Sequence, residues 1–463
     1  MNTRILRIEG RRSVAPWAGG VVLVAALAFL LLLPGAWSND NVSWAGQWTS
    51  MAFWTRYPLF FLWPLAVGLG ALQGLRDHRS EMGELLTSTP RPARHRAAAL
   101  AGTMALALVV AFGLLVAIGA VRVLAGDTTY NSLNWLPISA VGALALGAGA
   151  VLGMGVARAL PSVLTPPALA VAALVANNFL RHIQSSDAAV PVSGVPNALA
   201  LLSPGVAEVR DTLLTLSPSV HLGQALWLLG MAATGVGLLV AVRVGARLFA
   251  LVPLLVGGAL ALVLLPGDAR DTYVVDRAAA AQVCAGEVCL SRAREARLDA
   301  WAAPGKEALR ALRLSLGAQA PGGIRERVVP RALSATPERP REAVIVDFDD
   351  PMYASADGKR LARALTAQGL IPLCHPRSAT ESGTQEDAAA QRIAIAWTFG
   401  EELRPLEGTE YPMAGWPDPA VPVWKKFGAL PRAEQTKRLG AAHTAAVNCS
   451  GDPLTVLNGG ALQ

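Results

Sequence analysis

"EMGELLTSTPRPARHR" (residues 81–96) lies between two long apolar stretches of the chain. Glu81 and Glu84, a Thr87-Ser88-Thr89-Pro90 run, and then Arg91, Arg94, His95 and Arg96 are concentrated in one short connector. Ser80 is a suitable helix N-cap, and two acids in the first turn favour the positive end of a helix. Met82, Leu85 and Leu86 fall on one face at helical spacing, and Pro90 stops the pattern. The reading is a short amphipathic helix followed by arginines at the mouth of the next apolar stretch. A plain solvated, positively charged loop is the competing reading.

The apolar stretches on either side set the class. Of 463 residues 53% are hydrophobic and only 16% charged, whereas a soluble domain carries about a quarter charged. Residues 13–55 contain one charge, Asp40, while residues 267–463 are rich in Arg, Asp and Glu. A helix needs about 20 apolar residues to cross a bilayer. Seven segments qualify as candidates: 17–34, 57–75, 98–120, 137–157, 161–180, 223–242 and 247–266. The expected fold is an α-helical polytopic membrane protein of about seven transmembrane helices, with a C-terminal extracytoplasmic α+β domain.

Orientation follows from the short loops, because cytosolic loops are rich in Arg and Lys. Arg4, Arg7, Arg11 and Arg12 put the first segment, 1–16, in the cytosol as an interfacial stretch. The connector 76–96, two spans later, holds Arg76, Arg79, Arg91, Arg94 and Arg96. Arg158, then Arg243 and Arg247, mark the next two inner turns. The alternate loops, "WSNDNVSWAGQWTSMAFW" (37–54) and "GDTTYNSLNW" (126–135), are polar and Trp-rich, as outer interfaces are. The expected localisation is the cell membrane, with the spans over 17–266, an outer loop at 181–222 and residues 267–463 outside. A cleaved signal peptide is the rival reading of the first span, but its apolar run is long and no A-x-A site follows.

The cysteines agree with this topology. Cys284, Cys289, Cys374 and Cys449 all lie in the tail, and an even set on the outer side argues for disulfides. Four cysteines allow three connectivities. Cys284 with Cys289 and Cys374 with Cys449 is favoured, because "CAGEVC" can close a small loop; free thiols are the alternative. The C-x4-C spacing does not suit zinc. In the tail, 294–318 has helical spacing interrupted at Pro304, 342–348 reads as a strand, and 357–368, 385–403 and 431–447 read as helices, giving an α+β domain with a small core. "DFDDP" (347–351) is read as turn-capping acids rather than a cation site. No H-E-x-x-H or G-x-S-x-G occurs and no Ser–His pair stands out, so no catalytic residue is assigned and no enzyme is expected. No basic stripe carries interleaved aromatics, so no nucleic acid is expected as a partner. Arg122, Arg181 and His182 are read as anchors at outer span ends.

The connector resembles the first cytosolic loop of ABC-2 type exporter permeases, in which an acid, Gly, Glu-Leu-Leu, small residues, Pro and Arg follow in order. The matching positions are Glu81, Gly83, Glu84, Leu85, Leu86, Thr87, Thr89, Pro90 and Arg91. The N-terminal basic segment is similar to that family's interfacial helix. "ALALLSPGVAEV" (198–209) and "LLTLSPSV" (213–220) are similar to its dipping outer helices. The likeness covers roughly the first 245 residues by layout; the ends of the tail resemble outer tails of uncharacterised actinobacterial membrane proteins, which bring no function.

The resemblance implies a permease subunit that moves a hydrophobic or amphipathic compound outward, with 76–96 as its coupling helix. No G-x-x-x-x-G-K-[ST] is present, so ATP and Mg would be bound by a separate ATPase subunit, and no cofactor is expected on this chain. Seven spans further imply a second permease copy or a paralogue in the bilayer. The family has six spans and both ends in the cytosol; this chain adds a span and an outer domain. The alternative is a non-transporting membrane sensor or anchor whose outer domain binds a ligand or envelope partner.

Overall fold

The computed structural model describes residues 13–32, 47–76, 93–126, 130–182, 184–185, 195–205, 213–268, 271–328, 339–348, 350–354, 356–374, 384–407, 415 and 417–460. The chain forms a bundle of apolar helices followed by a mixed α/β tail.

The bundle consists of α1 (Ala15–Leu32), α2 (Trp48–Arg56), α3 (Leu59–Gly74), α4 (Ala93–Leu124), α5 (Trp135–Ala159), α6 (Thr165–His182), α7 (Pro218–Val240), α8 (Val244–Phe249) and α9 (Val252–Leu264). Among the described residues, five helical segments are long and apolar enough to cross a membrane: 15–32, 94–124, 135–159, 218–240 and 244–264. A sixth arises if α2 and α3, bent by 48° across Tyr57–Pro58, count as one broken span. The fifth expected span, 161–180, is shorter than expected. Pro161 precedes the helix and Pro166 and Pro167 sit at its start, so α6 begins only at Thr165. Its apolar part, Thr165–Leu180, rises about 24 Å at 1.5 Å per residue, against a hydrocarbon core of about 30 Å.

Glycine sets the packing. A Cβ on Gly153 would collide with the Val67 carbonyl, and one on Gly235 with that of Val151. Contacts between Gly70 and Ala150 and between Gly74 and Met154 show that α3 and α5 run parallel; Gly155 against Gly235 extends the alignment to α7. The described parts of the segments read as outer loops gather at one end of these helices. Trp48 stacks on Trp135 at 5.5 Å, and its Nε1 donates to Asn131 Oδ1 at 2.9 Å. At the other end, Val14 N donates to Gln73 Oε1 and Arg247 Nη1 to the Ala159 carbonyl.

A two-residue ladder pairs β1 (Gln184–Ser185) with β2 (Val195–Pro196). The run "LLTLSPSV" is not a dipping helix: it supplies β3 (Leu214–Leu216), antiparallel to β4 (Tyr273–Val275), and then the first turn of α7. This ladder ties the start of the tail to the Trp-rich end of the bundle. Asp276 continues the tie. It accepts from Asn134 Nδ2 at 2.8 Å and from the Tyr130 hydroxyl at 3.3 Å. Burial, and then the charge of Asp276, hold the Tyr130 phenol above its ordinary pKa, so it stays the donor. Gln47 Nε2 adds a bond to the Ala293 carbonyl.

The tail's sheet has the order β5 (Gln282–Ala285), β6 (Val288–Ser291), β7 (Gly323–Glu326), β8 (Ala343–Val346). The first pair is an antiparallel hairpin; β6, β7 and β8 are parallel. Parallel pairing needs crossovers, and α10 (Leu298–Leu316) supplies the first. The domain is therefore layered α/β rather than segregated α+β in its strand pairing. The remaining helices are α11 (Pro351–Ala354), α12 (Gly358–Leu370), α13 (Gln385–Phe399), α14 (Ala420–Gly428), α15 (Arg432–Asn448) and α16 (Pro453–Leu457). Their core is not small: α10 and every helix after it contribute buried apolar residues to one cluster with the sheet.

Two local expectations change. Pro304 does not interrupt α10, because Trp301, Ala308, Leu309 and Leu312 are packed in that core and hold the helix through it. The helix expected at 385–403 ends at Gly400, which adopts the left-handed conformation with φ 65°. The disulfides take the favoured connectivity, Cys284–Cys289 and Cys374–Cys449. The second joins the segment after α12 to the C-cap of α15, across 75 residues; the first spans 5.

Loop-closure entropy predicts unequal losses when the bridges are removed. Replacing Cys374 and Cys449 together by Ser should cost about 4 kcal/mol, and replacing Cys284 and Cys289 about 2 kcal/mol. Urea unfolding of the full chain, followed by Trp301 fluorescence, measures both. A pH dependence is also expected from His443 on α15. Its Nδ1 is 2.8 Å from the Leu370 carbonyl, and burial, aided by the nearby charge of Arg341, lowers its pKa from the ordinary 6.5. The unfolded chain therefore binds a proton first as pH falls below 6.5, and the tail loses stability from that pH down to the lowered folded value. In His443→Gln, which can still donate to Leu370, the same titration should flatten.

Candidate functional site

The break between α2 and α3 is the chemically distinctive place in the bundle. A helix broken inside an apolar medium leaves carbonyls and N–H groups that must find partners locally. Here a short inward segment, residues 197–205, enters beside the break. Asn197 Oδ1 accepts from Ala200 N at 2.9 Å, and Ala200–Leu202 form a single 3-10 turn. Ala200, Leu201 and Ser203 are buried. "ALALLSPG" thus dips into the bundle, while residues 206–212 lie outside the described residues.

Four polar side chains from three helices hold this segment. Gln224 Nε2 donates to the Leu201 carbonyl at 2.8 Å and Trp227 Nε1 to that of Leu202 at 3.1 Å, both from α7. Asn177 of α6 donates to the Phe60 carbonyl at 2.8 Å, and its Oδ1 receives the Ser203 hydroxyl. Gly205 lies so close to the backbone of Phe60 that a Cβ there would stand 2.9 Å from Phe60 N. Arg56, the last residue of α2, completes the set. Its Nε donates to the Pro204 carbonyl at 3.2 Å and its Nη2 to Gln224 Oε1 at 2.7 Å.

Arg56 is 0% exposed. Its bonded partners are neutral acceptors, and Nη1 has none. Two further groups nearby are enclosed without partners: His221 Nδ1 and Thr272 Oγ1. His221 lies one turn before Gln224 on the same face of α7. Thr272 is joined to that turn through Ser217, whose N–H donates to the Thr272 carbonyl. Phe53, Leu201, Leu216, Val220 and Tyr273 wall the place with apolar surface. The site is a charged, hydrogen-bonding cluster inside an apolar bundle.

Sequence reasoning missed this site. Arg56 closes a segment read as an outer loop, and Gln224 and Asn177 stand inside segments read as spans. The available signal was an arginine on the side where short loops carry few, followed two residues later by proline in "TRYP".

The residues singled out from sequence fare unevenly. Glu81, Gly83, Glu84, Leu85, Leu86, Thr87, Thr89, Pro90 and Arg91 lie outside the described residues, as do residues 1–12 of the N-terminal segment. Helix α4 starts at Ala93, so Arg94, His95 and Arg96 already belong to it. In the tail, Asp347 pairs with Arg327 at 2.8 Å and Asp350 caps Met352 N at 3.0 Å. No group of metal ligands assembles among the described residues. Glu401 is ion-paired with Arg363. That pair lines a surface cleft of about 700 Å³ with Lys359, Arg360, Arg404 and Glu407, where Arg360 also pairs with Asp357 and Glu407. Lys359 and Arg404 add two further cations to its lining. Against protein-family models, curated proteins and solved structures the chain finds no match.

The hydrogen-bond accounting gives a test. Gln224→Leu removes an acceptor from a buried cation and a donor from the Leu201 carbonyl. It should destabilise the full chain by about 3 kcal/mol or more, read as a lowered melting temperature; Gln224→Glu, which supplies a carboxylate to Arg56 but no donor to Leu201, should cost less than Gln224→Leu.

Proposed function

We propose that the chain is the membrane-embedded subunit of an ATP-driven exporter, moving a hydrophobic or amphipathic compound outward with energy from a separate ATPase. The observation that supports this reading best is the broken span α2–α3, with buried Arg56 and the inward segment 197–205 held against it. Broken helices and buried polar groups at membrane depth are costly and are tolerated where they line a path or a binding place. A passive anchor has no use for either. The arginine-rich connectors put the opposite end of the bundle in the cytosol, and the disulfides suit a tail in an oxidising compartment.

In this reading the connector 76–96 rests on the ATPase, and Glu81 and Glu84 fix its register by charge. The broken span and the inward segment form the outer closure of the path, so that the bundle is shut at the end where the tail sits. A second copy or a paralogue completes the translocation unit.

A sensor or anchor is the second reading, and one observation favours it. Asp276, Tyr130, Asn134 and the Gln47–Ala293 bond fasten the tail to the ends of the spans, so a ligand on the tail could pull on the bundle.

Purification of the chain from its native membranes in mild detergent, with mass spectrometry of what accompanies it, separates the two. Export predicts an ATPase in stoichiometric amount, reduced at least about tenfold by Glu84→Arg. An ATPase-free preparation carrying envelope proteins on the tail would overturn the exporter reading in favour of the sensor.

A further inference from the structure

The bonds around Arg56 leave its charge unanswered. Two of its nitrogens hold neutral oxygens, and the third, Nη1, is enclosed and unbonded. Along residues 13–266 every acid, namely Asp40, Asp77, Glu81, Glu84, Asp127, Asp187, Glu208 and Asp211, stands outside α1–α9. No bundle helix therefore carries a carboxylate. A buried ion without an opposite charge is costly by several kcal/mol, and a neutral glutamine could have donated to Pro204 at no such cost. Arginine also brings a planar fork that matches carboxylate and phosphate oxygens. The enclosed, unpartnered Nδ1 of His221, one turn before the Gln224 that bonds Arg56, adds donor capacity there, and the unpartnered hydroxyl of Thr272 lies on the segment bonded to the start of the same helix; apolar side chains wall the place.

We propose that Arg56, assisted by His221 and Thr272, holds the anionic head of an amphipathic molecule, a carboxylate or a phosphate, at the outer end of the bundle. The inference rests on the transport reading of this site and names the chemistry of what it binds. The molecule's head supplies the counter-charge that the described partners of Arg56 do not, and its tail lies against the apolar wall. Lifting of segment 197–205 frees the Pro204 bond of Arg56 for the incoming oxygen.

The experiment uses the full chain in phosphatidylcholine nanodiscs, without any ATPase, and titrates dodecyl phosphate, dodecanoate and dodecanol. Dodecyl phosphate and dodecanoate are expected to bind at least about tenfold more tightly than dodecanol. Arg56→Gln and Arg56→Met should both remove that preference, and Arg56→Gln, which can still donate to Pro204, should melt close to the unchanged chain. Adding phosphatidylglycerol to the discs identifies the source. Competition with dodecyl phosphate makes the natural occupant a lipid headgroup, and lack of competition makes it a free amphiphile; both support the proposal. Equal affinity for the three probes overturns it. So does a charge preference that survives Arg56→Gln, or an Arg56 variant that melts far lower with its preference intact. Should neither Arg56 variant fold, His221→Leu with Thr272→Val takes their place: selective weakening of the two anionic probes is expected, and an unchanged ratio to dodecanol overturns the proposal. Because no ATPase takes part, a failure here leaves the exporter reading to its own test.

Discussion

Backbone contact between α3, α5 and α7 is the constraint on which the bundle rests. Among apolar helices in lipid there is little hydrophobic drive to associate, so close packing must supply the attraction. Gly153 against Val67 and Gly235 against Val151 admit that approach, and any side chain would force the helices apart. Once they touch, the rest follows. The three helices run parallel, so their equivalent ends coincide. The Trp-rich segments, the β3–β4 ladder and the tail collect at one end, and the arginine-rich turns at the other.

The same closeness creates the polar problem at the break. A straight sixth span would have satisfied its own backbone, but Tyr57–Pro58 cannot continue α2 unbent, and the space it opens is filled by a loop rather than a helix. Loop carbonyls need donors. Leu201, Leu202 and Pro204 receive theirs from Gln224, Trp227 and Arg56, and Phe60 receives its donor from Asn177. Polar residues inside otherwise apolar helices are thereby explained one carbonyl at a time. Only the charge of Arg56 exceeds what the carbonyls require.

Much of this architecture was legible in the chain. Long apolar runs are a one-dimensional signal, and the helices lie where those runs lie. The cysteine pairing was legible for a related reason, since "CAGEVC" brings its two sulfurs together by local chain reversal. What escaped was set by tertiary contact. Trp48–Arg56 is too polar to announce a buried helix; it is buried because α4, α5 and segment 197–205 surround it. Prolines shortened α6 without changing its apolar composition. Pro304 misled in the opposite sense, because core packing on both of its sides outweighs a local preference. The parallel register of β6, β7 and β8 is a long-range property, and the short strands carry no mark of it.

The electrostatics at the break can be taken one step further. α5 and α7 begin at the end where Arg56 lies, and each helix start carries roughly half a positive charge. α2, α4 and α6 end there, as the contacts of Gly119 with Met51 and of Asn177 with Phe60 show, and their negative ends offset the positive ones. The helix termini therefore leave no net positive field, and the potential that an anion would meet at the break comes from the guanidinium itself. Parallel packing through glycine and the buried arginine thus play different parts. The first gathers the helix ends and their loops into one place, and the second sets there a full charge able to hydrogen-bond an oxyanion.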